Sequence, residues 1–333
     1  MGAIILHMHS QDRRHERIVA AIVVVLGAMA VALLFWRAAG DTQGHGQHTQ
    51  AATSSSSSTT SAATTAAKKR SVIQRNLQHY LNEVTKDGDA SVSFYSLDAT
   101  SGSAADSTTD QLTYGNGKIA VDSNATTTET SASTYKLFIA AYLLHLHQEG
   151  KFSWTTANKE GFYQMVVNSS NTFPESILAE YGRTSINAFI KSQEWANPVF
   201  HGDSEAASTT SRSLRQLLQA LAAGTGVFSN RSDRQYLLSL MSKQVYRDGI
   251  PAGVASVDSG ATVADKVGFL DDVNNDAGIV TTSDGHRYIL VIMTHGHNQT
   301  TLDFTRVKAI ATKVQKIVYG SSAGTKIVDY SGD

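Results

Sequence analysis

At 333 residues the chain is long enough for one large domain with its own core, plus extra segments. Its 28 basic and 29 acidic residues nearly cancel, so its charge gives no case for a nucleic-acid partner. It has no cysteine, which excludes disulfides and thiolate metal sites.

The run Ile18–Trp36 carries no charge and is just long enough to span a bilayer. Arg13, Arg14 and Arg17 precede it, and only Arg37 follows closely. The positive-inside rule then expects residues 1–17 in the cytoplasm, a single-pass cell-membrane anchor over 18–36, and everything later outside the cell. The alternative is a signal peptide cleaved near Ala38-Ala39-Gly40, although the apolar run is longer than a usual signal core. Residues 37–70 read as a disordered linker. Gly40 to Lys69 is built of Ser, Thr, Ala, Gly and Gln, with almost nothing to bury. Such a segment would hold a domain away from the membrane, as a cell wall requires.

The folded domain is expected over residues 71–320. Ile73, Leu77, Tyr80, Leu81 and Val84 follow helical spacing. Ser91 to Leu97 alternates like a strand, and Asp98 to Gly102 is a turn. Ser103 to Thr130 is polar and weakly periodic; it reads as loop with a short strand near Lys118–Val121. Thr155 to about Gln244 is helical. Thr184 is placed to cap a helix carrying Ile186, Phe189 and Ile190. Leu214, Leu217, Leu218 and Leu221 form a core stripe that ends at Gly224. Strands follow at Thr262–Phe269, Ala277–Thr282 and Tyr288–Thr294, the last two joined by the turn Ser283-Asp-Gly285. Val307, Ile310, Ala311, Val314, Ile317 and Val318 make a closing helix, and residues 321–333 read as a loose tail. The elements imply an antiparallel sheet with helices on its faces. The histidines, among them His295 and His297 at a strand end, show no ligand spacing, so no metal and no cofactor is expected.

One stretch carries chemistry. Ser133-Thr-Tyr-Lys136 runs into Leu-Phe-Ile-Ala-Ala-Tyr-Leu-Leu144, an apolar run that suits a central helix. Residues three apart share a helix face, so the hydroxyl and the amine project together. The helix dipole favours an oxyanion at its start. A buried lysine near neutrality can take the serine proton. Ser169-Ser-Asn171 and Lys266-Val-Gly268 come later. Taken singly, Ser169 and Asn171 suit a helix N-cap, and Lys266 a solvated strand position.

In order, S-T-Y-K, S-S-N and K-V-G resemble the S-x-x-K, S-D-N and K-T-G set of class A β-lactamases and penicillin-binding proteins. The resemblance covers roughly Ser71 to Tyr319. It implies an α/β fold of the β-lactamase/transpeptidase type, with an antiparallel sheet flanked by helices beside an all-helical subdomain and the active site between them. It also implies roles. Ser133 would be acylated, with Lys136 as its base. Ser169 would relay a proton to the leaving nitrogen. Asn171 would hold the substrate amide. Lys266 would lower the Lys136 pKa and attract a substrate carboxylate. The K-x-G stretch with Gly268 would line the substrate, and the backbone N–H groups of Ser133 and Phe269 would form the oxyanion hole.

Two departures matter. Val267 replaces the hydroxyl residue of K-T-G, removing a hydrogen bond to a substrate carboxylate worth about 1.5–3 kcal/mol. Ser170 for Asp is milder. The E-x-x-L-N loop of class A enzymes is not found before Thr209-Thr210; Glu194 and Glu205 are the nearby carboxylates. The expected activity is a membrane-anchored serine acyl hydrolase acting on β-lactams or related amides. The alternatives are a D-Ala-D-Ala carboxypeptidase acting on peptidoglycan stem peptides, and a non-catalytic wall-binding relative. A monomer is expected.

Overall fold

The computed structural model describes residues 53–195, 198–202 and 205–332. The Ile18–Trp36 run and residues 1–17 before it lie outside these. Among the described residues no helix is long and apolar enough to cross a membrane.

The domain opens with α1 (Thr53–Val84), whose Ile73, Leu77, Tyr80 and Leu81 are buried at helical spacing. The helix begins well before Ser71, so residues 53–70 are helical rather than disordered linker. Alanine supports helix there. Tertiary contacts also hold the segment: Ala66 is buried, Lys69 lies over the Tyr114 ring, and Arg70 Nη1 donates to the Leu112 carbonyl.

After β1 (Ala90–Leu97) come a short helix α2 (Thr108–Tyr114), β2 (Ala120–Ser123) and the two-residue β3 (Glu129–Thr130). The Ser103–Thr130 region is therefore more structured than its composition suggests. Ser107 Oγ caps α2 by accepting from Asp110 N. A 3₁₀ turn, Ala132–Tyr135, leads into α3 (Lys136–Gln148), whose side chains are buried on nearly every side.

The helical half continues with α4 (Thr156–Val167), α5 (Thr172–Tyr181) and α6 (Arg183–Ser192). Gly182, not Thr184, occupies the cap position of α6, because the sharp turn from α5 needs its φ of +77°. Then come β4 (Ser208–Thr209), α7 (Ser211–Ala223) and α8 (Arg231–Met241). Thr210 caps α7, and Gly224 ends it in the left-handed conformation.

The chain closes with α9 (Ile250–Ala255), β5 (Thr262–Leu270), β6 (Val273–Thr281), β7 (Arg287–Thr294) and α10 (Thr305–Tyr319). The five-stranded sheet has the order β2-β1-β7-β6-β5 and is antiparallel throughout. Val92, Phe94, Val267, Val280, Leu290 and Ile292 pack with the α1 and α10 core. Ala277, Ile279, Ile289, Val291 and Met293 pack with α3 and α7. Both faces are covered, which is why β7 reads as an unbroken apolar run instead of alternating.

The tail after Tyr319 is docked, not loose. Asn76 Nδ2 donates to the Lys326 carbonyl, Val328 N donates to Asn76 Oδ1, and Tyr330 meets Tyr80 edge-on.

Candidate active site

Three separated parts of the chain meet at one point. The 3₁₀ turn supplies Ser133, and the first residue of α3 is Lys136. In a 3₁₀ turn residues i and i+3 eclipse, so the two side chains align more closely than on an α-helix. Lys136 Nζ donates to Ser133 Oγ at 2.7 Å, to the Ser169 carbonyl at 2.7 Å and to Asn171 Oδ1 at 2.7 Å.

Ser169 sits in the short connection between α4 and α5 with φ +58°, uncommon for a residue with a side chain. Its hydroxyl lies between two lysines: Lys266 Nζ at 2.8 Å and Lys136 Nζ at 3.4 Å. Asn171 stands at the cap position of α5, yet its side chain makes no capping bond. Its amide oxygen is turned to Lys136 instead, so the helix-cap alternative does not account for it.

Lys266 is fully buried on β5, contrary to a solvated strand lysine, and Nζ also donates to the Val267 carbonyl at 2.8 Å. Gly268 lies against the Ser133 turn. A Cβ there would come within 2.7 Å of the Ser131 carbonyl and 2.9 Å of Ser133 N, so only glycine lets β5 approach this closely. The Phe269 ring packs against Tyr246 and Phe304, which leaves its backbone as the part to contribute. Val267 is fully buried in the cluster shared with α10 and adds no polar group.

Electrostatics follow from burial. Desolvation pushes the Lys136 ammonium down to about 8, and the charge of Glu175 pulls it partly back up. Burial, then the neighbouring Lys136 charge, hold Lys266 well below the usual lysine range. Tyr135 is pushed up to about 12 by burial and by Glu175.

Glu175 is the carboxylate whose field reaches the site, and no motif in the sequence marks it. It lies four residues past Asn171, in the first turn of α5. That spacing was visible, but nothing local said which way α5 would point. Glu194 and Glu205 are exposed and are not among the charges acting on Lys136 or Lys266.

On the far side of the turn, Ala132 adopts φ +43°, a strained position directly before Ser133. Asn275 Nδ2 donates to the Thr130 and Ser131 carbonyls and ties the turn to β6.

Residues 156–321 match the family model Beta-lactamase2, the β-lactamase enzyme family. The chain belongs to the β-lactamase-like serine hydrolase family. Its enzymes are serine hydrolases of the β-lactamase and penicillin-binding type, and this chain is one of them. The matched stretch begins after the Ser133–Lys136 turn, and the geometry adds that turn to it.

Solved structures agree on the fold. The chain is 19% identical to PBP-A, solved as a mutant acyl-enzyme complex with penicillin G, with a TM-score of 0.57 over 73% of this chain and 95% of that one. It is 16% identical to a β-lactamase from Sphaerobacter thermophilus, with a TM-score of 0.56 over 72% and 96%. A class A β-lactamase from Bacteroides cellulosilyticus gives 15% identity and a TM-score of 0.56 over 74% and 97%. No curated protein sequence matches the chain.

Proposed function

We propose that the chain is an acyl-enzyme-forming hydrolase acting on β-lactams or related amides, held at the outer face of the cell membrane by Ile18–Trp36. The observation that carries this is the Lys136 amine, 2.7 Å from Ser133 Oγ and with its pKa lowered to about 8. At pH 7 roughly a tenth of such a lysine is neutral, enough to act as a base.

In the proposed cycle, neutral Lys136 accepts the Ser133 proton as Oγ attacks the amide carbonyl carbon. The carbonyl oxygen becomes an oxyanion and meets the N–H groups of Ser133 and Phe269. Two such donors stabilise the transition state by a few kcal/mol. Ser169 Oγ then gives its proton to the departing nitrogen and is reprotonated from Lys136. Lys266, donating to Ser169 Oγ at 2.8 Å, holds that hydroxyl in place and favours its transient negative charge. Water later attacks the ester carbonyl, releases the acid and restores Ser133.

A penicillin-binding reading has its own support. The carboxylates near Thr209-Thr210, Glu194 and Glu205, are exposed, and neither bears on Lys136. Without a carboxylate to activate water the acyl-enzyme formed from a β-lactam would persist, which is penicillin-binding rather than lactamase behaviour. The fully buried Val267 weakens the case for a carboxylate-bearing substrate in either version.

The test is the intact mass of the protein after incubation with a reporter β-lactam, beside Ser133→Ala. Turnover that requires Ser133 and leaves no adduct is the result expected of a lactamase. A lasting adduct that requires Ser133 shifts the assignment to penicillin binding. Neither turnover nor an adduct, with β-lactams and peptidoglycan stem peptides alike, would overturn the acyl-enzyme proposal.

A further inference from the structure

A cavity of about 300 Å³ adjoins the short strand that leads into the Ser133 turn. Glu129, Thr130, Asp272, Val273, Asn275 and His295 are among the residues that line it. Glu129 and Thr130 are the two residues of β3, which pairs with β4. Asp272 and Val273 carry the chain from β5 into β6, and His295 directly follows β7. The link to the turn is Asn275, whose Nδ2 holds the Thr130 and Ser131 carbonyls.

The charges around this cavity are one-sided. Two acids and a histidine line it, and no lysine or arginine does. Asp272 is exposed, and its Oδ2 accepts from Gly296 N at 3.1 Å. Glu129 is only 9% exposed. Its Oε2 faces His295 Nε2 at 3.3 Å, while its Oε1 has no hydrogen-bond partner. Beyond His295 the next charged group is again an acid: Asp89 Oδ1 lies 3.8 Å from His295 Nδ1. Burial raises the Glu129 carboxyl above its ordinary range, His295 pulls it partly back, and Asp89 pushes it up again. No lysine or arginine is among the charges acting on it. A buried carboxylate oxygen without a partner is costly, and a cation in the cavity would remove that cost.

The shape of the site says which cation. Among the described residues, Glu129, Asp272 and His295 do not bring three ligand atoms within 4.8 Å of one another. Around a tetrahedral zinc, neighbouring ligand atoms stand about 3.3–3.5 Å apart. Acids spread around 300 Å³ suit instead a cation with a body, its charge at Glu129 and its stem against Val273. Glu129 has one free oxygen, since His295 faces the other. One oxygen suits the point charge of an ammonium, whereas a guanidinium is best met by both oxygens of a carboxylate.

We infer that this cavity binds a primary alkylammonium group, with Glu129 as the buried counter-ion and Asp272 as the exposed one. Its place in the fold favours an arm of the substrate as the source. Asp272 follows Phe269 by three positions, just past the end of the strand proposed to border the oxyanion. That assignment of the source rests on the acyl-enzyme reading; the binding site itself does not. Glu129, Asp272 and His295 come from three distant parts of the chain, so no spacing in the sequence marks them.

The test is a ligand-observed NMR titration of the full-length chain with n-butylammonium chloride, beside n-butanol as the uncharged control. The wild type should bind the ammonium and not the alcohol. Glu129→Gln should weaken that binding about ten-fold or more. Because Glu129 is buried, Asp272→Asn at the exposed acid is the second variant; it should weaken binding less and leave the melting temperature unchanged. Ser133→Ala should bind as the wild type does, so the result stands whether or not Ser133 is acylated. Two reporter amides, one with a free amine on its acyl chain and one with that amine acetylated, identify the source. A preference of about ten-fold for the free amine, lost in Glu129→Gln, places the cation on the substrate. Equal rates beside intact n-butylammonium binding assign the cavity to a free amine. Equal affinities of wild type, Glu129→Gln and Asp272→Asn for n-butylammonium, or no binding at all, would overturn the site.

Discussion

Lys136 has three acceptors at 2.7 Å, one for each proton of an ammonium. Burial nevertheless favours the neutral form. The amine is thus held by hydrogen bonds while its charge is made costly, as a base working near neutral pH requires. Acylation should therefore rise with pH and level off above about 8. Glu175 opposes burial by stabilising the ammonium. Glu175→Gln should move the rising limb to lower pH and raise acylation at pH 7 roughly two- to five-fold. Single-turnover rates against pH test this; an unmoved limb would show that Lys136 is not the titrating base. At this scale the sequence was informative where chemistry is local. Ser133 and Lys136 share one turn, and Ser169, Asn171 and Lys266 followed from family order. Glu175 was not legible, because its meaning depends on where α5 comes to rest.

The elements that build the site are held under strain and at close quarters. Ala132 and Ser169 both adopt left-handed backbone, on opposite sides of the groove. Such positions cost about 1–3 kcal/mol each and persist only where the surroundings enforce them. One enforcing contact is β5 against the 3₁₀ turn at Gly268. In Gly268→Ala the new methyl would meet the Ser131 carbonyl, Thr134 N and Ser133 N at 2.7–2.9 Å, all backbone atoms that cannot swing aside. We expect destabilisation of about 1–3 kcal/mol and a loss of acylation larger than that of stability, since the displaced atoms carry Ser133. Thermal melts beside acylation rates would check it; a folded variant acylating at the wild-type rate would refute it. Element by element, periodicity located α7 and α10 well, since each presents one apolar stripe. The start of α1 was missed because its first turns are polar. Further along, the segment is held by Arg70 and Lys69 reaching α2, contacts that composition does not encode.

On the scale of the whole molecule, the sheet and the helical half meet where Lys266 touches Ser169, so sheet stability bears directly on the site. Beneath that contact β5 and β6 bury two acids, Asp265 and Asp276, as diagonal neighbours in the ladder. Asp265 pairs with Arg247, and Asp276 accepts from Ile250 N at 2.8 Å. One oxygen of each is left without a partner, and a shared proton would satisfy both. Burial raises Asp276 to about 6 and Asp265 well above the carboxylate range, each opposed by Arg247. The sign is opposite to that of a salt-bridged carboxylate. Below pH ~4 both acids are protonated whether the chain is folded or not, and they cost nothing. As pH rises from there through 6, the unfolded chain ionises first, so this pair subtracts stability. Asp276→Asn keeps an acceptor for Ile250 N and offers Asp265 a donor without a second charge. The variant should therefore gain on the wild type as pH rises, with a larger melting-temperature advantage at pH 7.5 than at pH 4.5. A difference between the two proteins that stays constant over that range would show that the pair does not hold a proton against ionisation.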